Sequence, residues 1–263
     1  MSIINQFRLD NKVAVITGGG RGIGAACARA FAEAGADVVL AARTQSQLDA
    51  VASDIKAMGR RALIVVTDVM EEEQLQRLVD ATIEEFGRLD ILVNNAGGFP
   101  PKPMADTSLK EFDAAFRFNV STAFALTRIA TPHLAAGDEA GSVINISSIA
   151  GHAPSSWFTA YGTAKSSLSY LSQVMAQELA PRIRVNAIAV GSTKTDALNT
   201  VLTPEIEKTM VDLTPLARLG EVEDIAACAL YLASPAASYL TGDILNVNGG
   251  LTNVNMTMPR AFD

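Results

Sequence analysis

Tyr161 and Lys165 stand four residues apart, a spacing that puts two side chains on one face of a helix. The helical pattern that carries them continues through Leu168, Leu171, Val174 and Met175. A free phenol titrates near pH ~10, and a neighbouring ammonium favours its ionised form. A tyrosine held this way can give a proton to a carbonyl oxygen or take one from an alcohol. Ser147 and Ser148 close the strand-like run Val143-Ile144-Asn145-Ile146. One of these hydroxyls is placed to polarise a carbonyl, the alternative being that both satisfy local backbone. Phe99, Trp157 and Phe158 offer an apolar wall for a bulky molecule, or ordinary core packing.

Such side chains need a frame. Residues 13–17, 37–41, 62–66, 91–93, 142–146, 184–188 and 244–247 read as strands. Most are apolar throughout rather than alternating, as strands covered on both faces must be. Helical stretches separate most of them, and alternating β and α elements predict a parallel sheet with right-handed crossovers. One doubly wound α/β domain over residues 1–263 fits this pattern. Residues 191–220 interrupt the rhythm, either as a lid over the site or as a structural excursion.

The first predicted strand runs into Thr17-Gly18-Gly19-Gly20-Arg21-Gly22-Ile23-Gly24, and a helix is expected to open at Ala25. Glycines let a backbone turn tightly against a pyrophosphate, and the helix N-terminus supplies free N–H groups and a positive dipole end. The second strand ends at Leu40-Ala41-Ala42-Arg43, without the acidic residue that NAD binders use on the ribose 2′-hydroxyl. Arg43, and Arg21 from the glycine turn, suit a 2′-phosphate dianion instead. Otherwise they are two solvated surface arginines. The reading is NADP(H). Asn94-Asn95-Ala96-Gly97-Gly98 closes the fourth strand. Asn119 falls inside the helical run 112–130, a poor place for a side chain that competes for backbone groups. A buried amide there needs partners, such as a water leading toward Lys165.

Composition removes other classes. The net charge of −7 argues against a nucleic-acid footprint, which would need a basic stripe. No apolar run reaches the roughly 18 residues of a membrane span, and the N-terminus lacks a signal peptide pattern, so a cytoplasmic protein is expected. Cys27 and Cys228 sit in apolar helix-like stretches and are expected to be buried, which agrees with a reducing compartment. His133 and His152 share no metal-like spacing, and no serine sits in a Gly-x-Ser-x-Gly elbow.

Taken in order, the glycine turn, Asn94-Asn95-Ala96-Gly97, Asn119, Ser148 and Tyr161-x-x-x-Lys165 resemble the short-chain dehydrogenase/reductase family over essentially the whole chain. The family serine lies thirteen residues before its tyrosine, which selects Ser148 over Ser147. The resemblance implies a seven-stranded Rossmann sheet and usually a homotetramer. It also implies roles. Tyr161 is the acid/base, and Lys165 lowers its pKa and holds the nicotinamide ribose. Ser148 orients the carbonyl, and Asn119 holds a proton-relay water. Gly18, Gly22, Ile23 and Gly24 cradle the cofactor. Asp68 and Val69 contact adenine, Asn95, Ala96 and Gly97 line the cofactor, and Thr195 faces the carboxamide. Arg21 and Arg43 take the basic positions of NADP-preferring members.

Two features depart from the family pattern: Val190-Gly191 replaces Pro-Gly, and Asn248 stands where aspartate is usual. Two stretches look like the bacterial 7α-hydroxysteroid dehydrogenases: Asn94–Gly98 with Pro101-Lys102-Pro103, and the segment from Thr195 to Gly220. The leading expectation is an NADP(H)-dependent enzyme on a hydrophobic ketone or secondary alcohol, steroid- or terpenoid-like. A reductase of acyl-carrier-borne 3-oxoacyl thioesters is the second. It requires a basic patch at the mouth, for which Arg128 and Arg182 are candidates. A non-catalytic NADPH-binding sensor is the third.

Overall fold

A computed structural model of the protein describes residues 2–199, 202–256 and 258–259. Seven strands form one sheet: β1 (Val13–Thr17), β2 (Asp37–Ala42), β3 (Ala62–Val66), β4 (Ile91–Asn94), β5 (Gly141–Ser148), β6 (Ile183–Val190) and β7 (Ile244–Val247). All neighbours pair parallel, in the order β3-β2-β1-β4-β5-β6-β7. After β3 the chain returns to the far side of β1, so a crevice opens at the C-terminal ends of β1 and β4. Such switch points are where open α/β sheets receive ligands.

Burial explains the apolar runs. β1, β4, β5 and β6 are buried along their whole lengths, while the edge strands β3 and β7 are only partly covered. Four strands outrun the sequence expectation, β2 and β4 by one residue and β5 and β6 by three. β5 extends past residue 146 because Ser147 and Ser148 pair with Ala189 and Val190 of an equally extended β6. Polar residues do not end a strand while its neighbour continues to offer backbone partners.

Helices α1 (Gly22–Glu33), α2 (Gln45–Ala57) and α9 (Val222–Ala233) cover one face, with Phe31, Leu48, Ile55 and Leu232 in its core. Helices α3 (Glu72–Phe86), α5 (Thr122–Leu134) and α6 (Thr159–Leu179) cover the other around Leu75, Leu78, Leu126, Leu134 and Met175. α4 (Leu109–Phe116) begins at a reciprocal Ser108–Glu111 cap. α1 starts at Gly22 rather than at Ala25, so Ile23 and Gly24 form its first turn.

Of the two cysteines, Cys27 is fully buried, while Cys228 is only half-buried, less than expected. It lies on an α9 face turned partly outward. Burial pushes the Cys27 thiol up to about 12 and Cys228 up to about 11, so neither is a thiolate nucleophile at neutral pH. Among the described residues no helix is long and apolar enough to cross a membrane.

The insert carries two short helices, α7 (Asp196–Asn199) and α8 (Pro204–Asp212), the latter capped by Thr203, which accepts from the Ile206 amide. Its two ends meet. Thr193 bridges to Gly220, Lys194 N donates to Gly220 O at 2.8 Å, and Gly220 N donates to Ser192 O at 2.9 Å. The excursion therefore leaves and re-enters the fold at one point.

Phe31 is 0% exposed and joins α1 to the sheet. Phe31→Ala should cost about 3–5 kcal/mol of stability, the usual range for a buried aromatic that leaves a cavity. A chemical-denaturation midpoint measures it.

Candidate active site

The glycine turn lies between β1 and α1 at the crevice. Its shape depends on how closely α1 packs back on it. A Cβ added at Gly24 would sit 2.3 Å from Gly18 O and 2.6 Å from Asn95 Nδ2, so only glycine permits this approach. The turn is tied to β4 by one hydroxyl. Thr17 Oγ1 donates to Val93 O and accepts from the amides of Asn95 and Ala96, both at 3.0 Å. Asn95 Nδ2 returns a bond to Thr17 O at 2.9 Å. The α1 N-terminus has no side-chain cap and no acidic residue in its first turn, which leaves its amides and dipole free for an anion.

Ser147 and Ser148 part company within β5. Ser147 Oγ donates to Lys165 O at 3.0 Å and shares a 2.7 Å bond with Ser169 Oγ, which meets His152 Nε2 at 3.1 Å. The Lys165 carbonyl can only accept, so the direction of the chain is set. Ser147 donates to it, Ser169 donates to Ser147, and His152 donates through a protonated Nε2. Ser147 thus holds α6 in place. Ser148 Oγ accepts from Ala150 N at 3.2 Å and hydrogen-bonds with Tyr161.

Lys165 is 4% exposed, and its ammonium donates to Ile146 O at 2.7 Å. Burial pulls its pKa down to about 7. Its Nζ stands 5.7 Å from the Tyr161 ring centroid. Burial raises the Tyr161 phenol above its ordinary value, and the hydrogen bond with Ser148 works in the opposite direction. The expected net lowering of Tyr161 by Lys165 is therefore not found here. Desolvation dominates, and the lysine that was to lower it is itself close to losing its proton at neutral pH.

Asn119 is buried in a single π turn, Arg117–Ser121, between α4 and α5. Its Oδ1 accepts from Gly98 N at 2.8 Å; its Nδ2 donates to Ala115 O at 2.8 Å and Gly98 O at 3.2 Å. Both Nδ2 hydrogens are used on backbone carbonyls, while Oδ1 keeps a second lone pair beyond its bond from Gly98 N. The amide thereby pins the β4 exit loop. A Cβ on Gly97 would lie 2.8 Å from Asn119 Oδ1 and 3.2 Å from Lys165 Nζ, so glycine keeps room between the two.

A buried polar row braces the site from below. Asn94 Nδ2 donates to Thr127 Oγ1 at 3.1 Å and Asn145 Oδ1 at 2.8 Å, and Asn145 Nδ2 donates to Ser172 Oγ at 2.8 Å. The roles of Thr17, Asn145 and Ser169 carry no sequence signal, because their partners are far away along the chain.

One cavity of about 520 Å³ runs from the glycine turn to Tyr161. Gly18, Arg21, Gly22, Ile23, Arg43, Asp68, Val69, Asn95, Ala96, Gly97, Ser148, Tyr161, Lys165 and Thr195 all line it. Gly24 and Asn119 stand behind its wall. Arg21 and Arg43 are exposed at the rim, where Arg21 Nη1 lies 3.9 Å from Asp196. Phe99 and Trp157 do not line the cavity; Phe158 does not either, but its ring centroid is 6.4 Å from that of Tyr161. Arg128 pairs with Glu72 and Arg182 binds the Ala135 and Gly137 carbonyls, so neither reaches the mouth. Among the described residues no group of His, Cys, Asp and Glu is arranged to hold a metal ion.

Residues 18–252 match a family described as enoyl-(acyl carrier protein) reductase. An uncharacterized oxidoreductase of Mycobacterium tuberculosis is 53% identical over 258 residues, 98% of this chain and 98% of its own. The 7α-hydroxysteroid dehydrogenase of Escherichia coli is 42% identical over 247 residues, covering 94% of this chain and 96% of its own. A solved 7α-hydroxysteroid dehydrogenase, complexed with NADH and 7-oxo glycochenodeoxycholic acid, superposes with a TM-score of 0.93 at 40% identity. That match covers 98% of this chain and 100% of the other. Sheet order, site geometry and these likenesses agree: the chain belongs to the short-chain dehydrogenase/reductase family, oxidoreductases acting on CH–OH groups.

Proposed function

We propose that this protein interconverts a hydrophobic ketone and its secondary alcohol with NADP(H), using Tyr161 as acid/base. The observation that carries the reading is the convergence of Ser148, Tyr161 and Lys165 at one end of a cavity whose other end is the glycine turn and Arg43. The cavity suits a nicotinamide dinucleotide: an uncapped helix N-terminus faces it, and its glycine turn has no side chain where a pyrophosphate needs to approach. When bound, the cofactor supplies or accepts the hydride.

The chain's own residues do the rest. Ser148 donates a hydrogen bond to the substrate carbonyl oxygen. Tyr161, held above its ordinary pKa by burial, is protonated at neutral pH and set to donate to that oxygen. Lys165 would hold the nicotinamide ribose, and Asn119 keeps the Gly97–Gly98 backbone in place beside it. The residue 191–220 insert, hinged where its ends meet, serves as the lid.

The NADP preference rests on Ala42 and Arg43. The similar solved dehydrogenase holds NADH, so the preference is argued from this chain alone. Steroid- or terpenoid-like ketones are the favoured substrates, supported by the likeness to the Escherichia coli enzyme. The acyl-carrier reading loses support because Arg128 and Arg182 are engaged away from the mouth. Exposed Phe116, Phe124 and Tyr170 on α4, α5 and α6 suit the homotetramer usual in the family. Two free cysteines suit a cytoplasmic setting.

Tyr161→Phe should lower kcat by roughly 10²–10⁴-fold while leaving NADPH affinity intact. Alcohol oxidation by the wild type should quicken as pH rises, because the phenol must first lose its proton. A biological activity that survives the substitution would instead favour a sensor. Arg43→Ala should cut kcat/KM for NADPH by about ten- to a hundredfold, the worth of a charged hydrogen bond, and spare NADH. Assays of ketosteroids, terpenoid ketones and acetoacetyl thioesters with both cofactors test substrate and cofactor together. Faster turnover with NADH would overturn the NADP reading.

Lys165→Met should abolish turnover and raise the thermal midpoint by roughly 2–6 °C below neutral pH. The gain should shrink as pH climbs from about 7 toward 10.5, where buried Lys165 has lost its proton but an unfolded lysine keeps it. Calorimetry across that range checks the sign.

A further inference from the structure

Beyond β7 the chain turns back over the substrate side of the molecule. Asn248 shapes the turn: its Oδ1 accepts from Gly250 N at 3.0 Å and its Nδ2 donates to Leu251 O at 2.9 Å. An aspartate could make the first bond but not the second, which gives this departure from the family pattern a physical reason. Leu251 and Val254 then pack on Ile149 and Ala153, in the connection that joins Ser148 to Tyr161.

Asn255 follows, 2% exposed. Its Nδ2 donates to Met210 O at 3.0 Å and Thr214 Oγ1 at 2.9 Å, and its Oδ1 accepts from Ser192. These partners are the start of the insert just beyond β6, the α8 helix, and a residue two positions past that helix. Every hydrogen-bonding atom of this amide side chain is engaged, and all of its partners lie in the insert. Farther on, Pro259 O accepts from Trp157 Nε1 at 3.1 Å. Trp157 has a φ of 70°, a conformation a bulky side chain seldom takes, and Lys102 N secures its carbonyl at 2.8 Å.

We propose that residues 251–256 and 258–259 strap the insert to the Ser148–Tyr161 connection, and that Asn255 is a positioning residue for substrate selectivity. The inference rests on reading the insert as the substrate lid. A small ketone needs only Ser148 and Tyr161. A polycyclic one also needs the surface between the insert and residues 149–158, whose separation the strap sets. Loosening it removes binding that only large substrates use, and such binding appears in KM rather than kcat.

Asn255→Asp keeps the shape but cannot donate to Met210 O. Kinetics at saturating NADPH across ketones from cyclohexanone to a steroid should show KM rising about five- to tenfold for the largest accepted, with kcat and the small-ketone KM held within about twofold. Trp157→Phe, which removes the indole N–H and its bond to Pro259 O along with part of the ring, should shift the same parameter less. Equal losses for small and large ketones, or no change in either variant, would overturn the proposal. Amide hydrogen exchange gives a readout free of substrate. In Asn255→Asp, exchange should rise together in α8 and in residues 149–153, whereas a rise confined to the tail would sink the strap. If no polycyclic ketone is turned over by the wild type but the exchange remains coupled, the substrate reading fails and the strap stands.

Discussion

The ammonium of Lys165 is buried beneath the crevice, and much of the surrounding architecture serves to keep it there. Its described hydrogen bond is to Ile146 O at 2.7 Å. A cation so placed loses hydration that one carbonyl does not restore, which is why its pKa falls to about 7. The position is tolerable only if the neighbours cannot relax away. β5 runs two residues beyond its apolar stretch, and Ser147 there takes hold of the Lys165 carbonyl. Gly97 contributes no side chain, so Lys165 Nζ and Asn119 both reach the same small space.

Polar side chains inside the fold are arranged to leave few choices. The row Thr127–Asn94–Asn145–Ser172 joins α5, β4, β5 and α6 through bonds that each end on a defined acceptor. The chain from His152 through Ser169 and Ser147 to Lys165 O runs in one direction because a carbonyl accepts and never donates. Buried polar groups of this kind are costly unless fully partnered, and when partnered they specify one packing. Helix α6 is therefore held by directional bonds as well as by apolar contact. That matters for a site in which the phenol, the hydroxyl of Ser148 and the ammonium must keep their separations.

The fold was largely legible. Apolar runs without alternation foretold strands covered on both faces, and their spacing with helices foretold the parallel order. Strand ends were less legible: residues 147 and 148 look like turn formers, yet β6 beside them supplies backbone partners. Most of the residues that line the cavity were legible because a turn, an i,i+4 pair and an ordered set of motifs are local features. Asn119 was legible as a buried amide in need of partners, but the identity of those partners was not. Its amide serves the Gly98 and Ala115 backbone, a consequence of the π turn that no residue pattern announces.

By itself the sequence determined the alternating architecture, the glycine turn with basic residues at its rim, and the Tyr161–Lys165 pair, since each depends on neighbours within a few residues. Only the tertiary structure decided that burial outweighs the Ser148 hydrogen bond at Tyr161, that Ser147 braces α6 while Ser148 meets Tyr161, and that the tail near Asn255 reaches the insert. Those outcomes depend on desolvation and on contacts between residues as much as sixty or more positions apart, such as Ser192 with Asn255. Such terms arise only when the chain has closed on itself, because the free energy of a buried group is set by everything packed around it.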